Sequence, residues 1–482
     1  MKWAITPILF SLAACTVGPN YEQPQLATPA AFQDLPQAGA APLSQPAGGD
    51  ADLTQWWQQF HDAELERLVT RALAANLDLM STASLIRQAR EQEIVQGAAG
   101  LPSVNATGSA VRLHSNTNPL ATLGGGGGPA GAASSSGGSD LRLYSAGFDA
   151  SWEIDVFGGV RRGVEAARDK SDAAVWQLRD GEVSLSAEVA NDYLMLRAAE
   201  ARIALLQSAL QRQRETLAIV QARATVGFVT ELDVDQQTAQ VEATAAQLPP
   251  LAAQRLALVH ALGVLLGEQP ETMEAELQAT GAIPAVPATL PVGLPSDLLR
   301  RRPDVRQAER NLAAATAQVG VAVAQLYPKF NLLGLASFAS NSLNGFFSSD
   351  NFSAAGLGLI RWPIFTAGKS RANVRISEEQ QNQAYLGYRQ SVLKALQDAE
   401  DSLTRYTNEQ QRLVSLQNSI AAATSSYAIA TDQYRSGLVT YLNVLTAETA
   451  LLNAQDEAAQ SRAALSADLV SLYKALGGGW SA

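Results

Sequence analysis

One cysteine in 482 residues, Cys15, leaves the chain without a disulfide partner or a thiolate cluster. Histidine is nearly as scarce. His61, His114 and His260 stand far apart, without the spacing a metal site requires. Proline is missing from two long tracts, Ala130 to Leu248 and Ile364 to Ala482. A proline inside a helix costs about 3 kcal/mol, so these tracts are free to form helices far above ordinary length. Basic residues are outnumbered 35 to 46, and loss of Lys2 with a leader takes the balance to 34 − 46 = −12. That argues against nucleic acid as a partner. Beyond residue 14 no stretch reads as the roughly 20 apolar residues of a membrane-spanning helix, so a passage through a bilayer has to be made of strands. Enzymatic signatures are missing as well. Gly368-Lys369-Ser370 ends like a phosphate-binding loop, but Pro363 occupies the position of its first glycine. No Gly-x-Ser-x-Gly elbow occurs. The expectation is a protein without catalytic residues, metal or cofactor.

What the chain does contain is itself, twice. Gly227-Phe228-Val229-Thr230-Glu231-Leu232-Asp233-Val234 returns 210 positions later (437 minus 227) as Gly437-Leu438-Val439-Thr440-Tyr441-Leu442-Asn443-Val444. The register holds to Leu262, Leu266 and Gly267, which fall on Leu472, Leu476 and Gly477. Upstream the offset is 226: Asp78-Leu79, Pro102 and Asn105 fall on Asp304-Val305, Pro328 and Asn331. Two long units, not a row of short ones, make up the fold.

Inside each repeat the pattern predicts a helix, a strand pair, a very long helix and a return helix. Val189, Leu196, Ile203, Leu210 and Leu217 recur every seven residues; Tyr406, Leu413, Ile420, Tyr427 and Tyr434 do so in the second repeat. A sustained apolar seam of that period is a coiled-coil signal. A helix over 157–224 would be on the order of 100 Å long. Ahead of it, Tyr144, Ala146, Phe148, Ala150, Trp152, Ile154 and Val156 alternate with Ser145, Gly147, Asp149, Ser151, Glu153 and Asp155, as a strand with one apolar and one polar face requires. Expected strands are 103–115 and 141–156, then 329–340 and 352–362 with poorer alternation. The second long helix is expected over 364–435. Loops Thr117 to Asp140, with its run Gly124 to Gly128, and Asn341 to Asn351 read as exposed tips. Residues 54–275 and 296–482 form the two repeats, joined by a linker over 276–295. Arg300, Arg301, Arg302 and Asp304 read as a helix end before Pro303 opens the next helix.

Four strands are too few for a membrane barrel. Eight fill with their own side chains, and a dimer would stop there. Three chains sharing edges give twelve strands, the smallest cyclic solution with a water-filled lumen. Asp149, Ser151, Glu153 and Asp155 would then face water, with Tyr144, Phe148 and Trp152 facing lipid.

The N-terminus, with Lys2 followed by the apolar run Trp3 to Ala14, reads as an export signal over residues 1–14. Leu12-Ala13-Ala14-Cys15 resembles a lipobox, which makes Cys15 the acylation site and residues 15–53 an anchored, extended tether. Trp56-Trp57 comes next, with Phe60, and is expected to fix the tether against the helices. Cys15 to Tyr21, the segment from Trp56-Trp57 to Asp78-Leu79, Ala150 to Gly158 and above all Gly293 to Glu309, with Arg300-Arg301-Arg302-Pro303-Asp304-Val305-Arg306, together resemble the TolC-like outer-membrane efflux factors of the NodT lipoprotein type.

The resemblance covers the mature chain. It implies a mainly α-helical homotrimer in which a twelve-stranded β-barrel in the outer membrane continues into a periplasmic helical barrel. It also implies a periplasmic membrane-fusion adaptor and an inner-membrane pump of the resistance-nodulation-division class as partners, with outer-membrane lipid around the barrel. Gly227, Phe228, Val229 and Thr230, with Gly437, Leu438, Val439 and Thr440, are interhelical turns by their chemistry and adaptor-docking tips by resemblance. Thr230 and Thr440 are expected to cap the helices they precede, Thr230 through a capping box with Asp233. The resemblance places a periplasmic gate at Leu442, Asn443, Thr446 and Glu448, with Asp233 and Asp235 as further candidates; the acidic residue it leads one to expect near Thr446 is absent. Glu448 reads equally well as a solvated helix face. A protein-secretion duct and a poreless coiled-coil adaptor lipoprotein remain as alternatives.

Overall fold

The computed structural model describes residues 16–27, 29–32, 45–47, 53–115, 139–287, 289–291 and 295–481. The leader, Cys15 and most of the loop Thr117–Asp140 lie outside them. The chain forms two compact units. The first takes residues 1–23, 88–171 and 310–385, and the second takes 24–87, 172–309 and 386–482. Each unit draws on both repeats, so the sequence duplication and the packing units cut the chain differently.

The elements track the two offsets closely. Helix α1 (Ala63–Ala75) leads into α2 (Leu77–Ala98), and its counterpart α7 (Pro295–Arg301) leads into α8 (Pro303–Ala324). The first repeat, expected to open on one helix, breaks at Asn76. Its backbone N–H donates to the Ala72 carbonyl and closes α1, while its Oδ1 accepts from the Asp78 and Leu79 N–H groups and opens α2. The long helices are α3 (Gly159–Thr225) and α9 (Lys369–Arg435), each 67 residues. Both start later than expected because Gly158 and Gly368 adopt positive φ, of 79° and 83°, and turn the chain before the helix begins.

The return helices differ. The second repeat has one, α10 (Tyr441–Ala475), but the first is split into α4 (Glu231–Ala245) and α5 (Leu248–Leu265), with the short α6 (Pro270–Glu276) beyond them. Pro249 and Pro250 sit at the start of α5 and have no N–H to continue α4. Residues Glu231–Leu265 are, by length and composition alone, apolar enough to cross a membrane, which corrects the expectation for that stretch. The segment instead packs through Leu251, Val259 and Leu262 in the second unit, where Arg255 pairs with Glu200 at 3.2 Å.

Short strands β1 (Gln45–Ala47) and β4 (Thr289–Pro291) pair in parallel. Strands β2 (Ser103–Ser115), β3 (Ser139–Ile154), β5 (Lys329–Ser340) and β6 (Phe352–Arg361) form an antiparallel sheet in the order β2-β3-β5-β6. β3 stops at Ile154 and β6 at Arg361, short of the expected 156 and 362. The two sequence offsets differ because the β2–β3 connection is longer than the β5–β6 connection.

The second unit holds the main apolar core. Val189, Leu196, Ala399 and Tyr406 of the two long helices are buried there with Leu65, Leu68, Leu262 and Leu472. Trp56 is buried in that core and stacks on Tyr473, with ring centroids 5.2 Å apart. Phe32 of the tether is buried in it too. Further along the helices the seam thins: Ile203, Leu217, Ile420, Tyr427 and Tyr434 are only half-buried.

Candidate functional site

In the first unit the sheet is open. Residues paired across antiparallel strands share a face, and one face carries a polar ladder. Ser103 bonds Ser151 at 2.8 Å, Asn105 Nδ2 donates to Asp149 at 3.0 Å, and Ser109 bonds Ser145 at 2.8 Å. The opposite face carries Tyr144, Ala146, Phe148, Ala150 and Trp152, paired with Ser340, Phe338, Ala336, Gly334 and Leu332. A one-sided sandwich would bury that second face. Here Phe148 is 61% exposed, and every residue of β6 is exposed. Among the described residues β2 and β6 each have one strand neighbour, so both edges present unpaired backbone groups.

At the base of the sheet the segment after Cys15 is clamped. Val17 N–H donates to the Phe157 carbonyl at 3.2 Å. The buried Arg162 donates to the Val17 carbonyl at 3.2 Å and to Asn20 Oδ1 at 2.6 Å, and the Arg310 guanidinium lies over the Tyr21 ring. Gly18, at φ 91°, passes so near Gly320 that a methyl group there would sit 2.5 Å from the Gly320 Cα. The resemblance segment Thr16 to Tyr21 therefore fits one groove, residue by residue.

In the second unit the two glycine turns are the same object. α3 and α9 each end in a Schellman motif: Gly227 donates to the Ala224 carbonyl and Phe228 to that of Arg223, while Gly437 donates to that of Tyr434 and Leu438 to that of Gln433. Gly227 and Gly437 have φ of 77° and 76°. Phe228 and Leu438 point outward, 81% and 75% exposed. Val229 and Val439 are half-buried, with Val229 packing against Val220, Tyr441 and Val444.

The caps differ. Thr230 forms the complete box: its Oγ1 accepts from the Asp233 N–H, and Asp233 Oδ2 accepts from the Thr230 N–H at 2.9 Å. Thr440 makes no such bond to the α10 backbone, so its expected cap is corrected. Its hydroxyl instead accepts from Asn443 Nδ2 at 3.3 Å. Asparagine at that position offers an amide hydrogen where aspartate offers a second acceptor.

The gate candidates do not converge. Leu442, Asn443 and Thr446 lie on the exposed side of α10, and Thr446 donates to the Leu442 carbonyl. Glu448 lies on the other side with Tyr441, Val444 and Leu451, 5% exposed, so it is no solvated helix face. Burial raises its pKa, opposed by Arg212. Asp233 is committed to its cap and Asp235 is exposed. Tyr441 donates to Gln237 Oε1, and Gln237 donates to the Gln213 carbonyl, which locks the two tips together. Sequence reasoning misses this buried polar link; no local signal marks a glutamine whose partners are on other helices. Arg302, by its sequence a helix-end charge, is in fact buried, donating to Asp304, Asp398 and the Ala475 carbonyl.

The chain as a whole has counterparts among known proteins. The model of the family described as outer membrane efflux protein matches residues 68–268 and 294–478. The chain belongs to the outer membrane efflux protein family. It is similar to the pyoverdine export outer membrane protein OpmQ of Pseudomonas aeruginosa, 33% identical over 476 residues covering 97% of this chain and 95% of that protein. It is also similar to nodulation protein T of Rhizobium leguminosarum bv. viciae, 29% identical over 99% of this chain and 93% of that one. Among solved structures the outer-membrane channel OprN matches with a TM-score of 0.85 and 33% identity, covering 97% of this chain and all of that one. The fold is that of the trimeric outer-membrane efflux channels, mainly helical with one four-stranded antiparallel sheet per chain. This efflux protein is thus an outer-membrane channel of a tripartite efflux system, as its sequence leads one to expect.

Proposed function

We propose that the chain is a lipid-anchored exit duct in which three copies pair β2 of one with β6 of the next. The closed barrel turns the Ser-Asn-Asp ladder toward water and the Phe148 and Trp152 face toward lipid. The observation that carries this reading is the sheet itself: four strands, two open edges and two uncovered faces. Cys15 carries the lipid, and the clamp on Thr16 to Tyr21 holds the anchor beside the first turn of α3. Phe228, Val229, Leu438 and Val439, around the turns of Gly227, Thr230, Gly437 and Thr440, dock the hairpins of a periplasmic adaptor, which couples the duct to a resistance-nodulation-division pump. Leu442 and Thr446 narrow the passage, with Asn443 beside them. Glu448 does not, since it is buried among the helices. The duct performs no chemistry and needs no cofactor; the pump supplies the work.

Heat-modifiable trimers in outer-membrane fractions, together with single-channel conductance of the purified full-length protein in planar bilayers, test the reading. A folded monomer in detergent that forms no pore would end it.

A further inference from the structure

The water-facing side of the sheet is not uniformly polar. On β2 and β3 it carries Ser103, Asn105, Ser109, Ser145, Asp149 and Ser151, with the exposed pair Val111 and Leu143 higher up. The register carries the same face across to Leu333, opposite Ser151, and Leu335, opposite Asp149. β6 adds Leu357 opposite Leu333 and Leu359 opposite Asn331. Higher on the same face Ser337 and Ser353 share a hydrogen bond, as neighbours on one side of the sheet must. The four leucines are between 39% and 54% exposed. β5 and β6 therefore show apolar side chains on both faces: Leu332, Phe330 and Ile360 toward lipid, the four leucines toward the passage. Lipid cannot be what covers the leucines, because their face also holds Asp149 and the Lys329–Glu153 pair at 3.0 Å.

We propose that Leu333, Leu335, Leu357 and Leu359, with Asp149 beside Leu335, form a binding station on the channel wall for small cationic amphiphiles. An apolar body covers the leucines while its positive charge lies against the Asp149 carboxylate, which accepts a hydrogen bond from the neutral amide of Asn105. Charge at the Leu335 end selects the occupant: there a neutral body gains only the leucines and an anion meets Asp149, while Lys329, paired with Glu153, and Arg361 opposite it lie at the far end of the same face, beyond Leu359. Three copies give three stations separated by hydroxyl ladders, so cargo meets alternating sticky and slippery strips as it leaves. The station depends on the duct reading above, which decides that this face lines the passage.

The test uses the full-length protein in lipid nanodiscs, equilibrium dialysis and tetraphenylphosphonium as the probe, with empty nanodiscs as the blank. Saturable uptake above the blank is expected, with tetramethylammonium, a cation without an apolar body, taken up far less. The double variant Leu333→Ser, Leu335→Ser is expected to weaken uptake by about tenfold, the equivalent of about 1.4 kcal/mol of lost apolar contact. Asp149→Asn is expected to weaken the cation while sparing 2-naphthol, a neutral probe of similar apolar character. Uptake by the parent protein equal to the blank overturns the station without any variant having to fold, as does uptake that neither substitution changes. Conductance separates the two levels: a protein that conducts and takes up no probe loses only the station, whereas one that forms no pore loses the duct.

Discussion

Two joints, one in each repeat, do the same work with different side chains. In the first, Asn76 sits between α1 and α2, and its Nδ2 donates to the Leu265 carbonyl at 2.9 Å. In the second, Arg302 sits between α7 and α8 and donates to the Ala475 carbonyl at 3.3 Å. Residues 76 and 302 correspond through one offset of the duplication, and 265 and 475 through the other. The glycines just beyond those carbonyls also correspond. A methyl group on Gly267 would lie 2.9 Å from the Ala75 carbonyl, and one on Gly477 would lie 3.1 Å from that of Arg301. Duplication has therefore kept the carbonyl contact and the close backbone approach while the donor changed from a neutral amide to a cation. The surrounding charge changes with the donor. Around Arg302 stand Asp304 and Asp398, both ion-paired to it. By the two offsets the acids that correspond to Asp304 and Asp398 are Asp78 and Glu188, and position 76 offers them an amide in place of a guanidinium.

Removing each donor in turn separates the two joints most widely. Arg302→Ala leaves two carboxylates and a buried carbonyl without their cation, and about 3 kcal/mol of destabilisation is expected. Asn76→Ala removes a helix cap and one carbonyl partner, for about 1–2 kcal/mol. Thermal unfolding in detergent, monitored by helical circular dichroism, should rank the two in that order. Equal losses would mean that the ion pairs around Arg302 contribute nothing beyond the shared contact.

A further charge difference between the repeats has a pH signature. Asp192 of the first repeat corresponds to Ser402 of the second, and burial, reinforced by the charge of Glu188, raises its pKa to about 6. A carboxyl with a folded pKa above its unfolded value binds protons more readily in the folded state. Its contribution is complete below the ordinary value near 3.8 and is lost as pH rises through about 6. Asp192→Asn should therefore leave stability unchanged below about pH 4, raise it progressively relative to the parent between about pH 4 and pH 6, and hold that gain constant at higher pH. A difference that is flat with pH would show that Asp192 is fully hydrated in the assembled protein.

The turns, by contrast, predict equality. Gly227 and Gly437 share φ within a degree, and a methyl group on either meets nothing within 4 Å. Alanine at each is expected to cost about 1 kcal/mol through backbone strain alone. Unequal losses would place the strain in surroundings that differ between the tips.

The turns are also where the sequence is easiest to read. Schellman turns and capping boxes are closed by residues within six positions of one another, so Gly227 through Asp233 carries its own geometry. Strict alternation in β3 likewise announces its two faces. The break at Asn76 is hidden because leucine spacing runs on through it. Pro249-Pro250 stands in plain view, yet the repeat register runs through it to Gly267, which reads as one return helix and conceals the split between α4 and α5. Arg302 and Glu448 are beyond reach for a different reason: what surrounds them includes helices far away along the chain. Irregular alternation in β5 and β6 is visible, but only the register shows that its extra leucines share a face with Asp149.

The smallest difference between the repeats is one atom at the third position of each return helix. Asp233 completes a box with Thr230, whereas Asn443 turns its amide toward the Thr440 hydroxyl. The N-cap backbones are nearly alike, with φ and ψ of −90° and 159° at Thr230 and −76° and 160° at Thr440, so nothing in the main chain prevents a box at the second tip. Asn443→Asp should then let the carboxylate accept from the Thr440 N–H. It also places a negative charge in a first turn that holds none, for a gain of about 0.5 kcal/mol. Thr230→Ala should cost about 1 kcal/mol and Thr440→Ala only a few tenths, but in the Asn443→Asp background the second loss should grow toward the first. A double-mutant cycle on Thr440 and residue 443, read by thermal unfolding, measures that growth. If Thr440→Ala costs the same in both backgrounds, the tips differ for a reason other than the residue at this position, and the adjoining pair Glu231 and Tyr441, exposed in one tip and buried in the other, becomes the place to look.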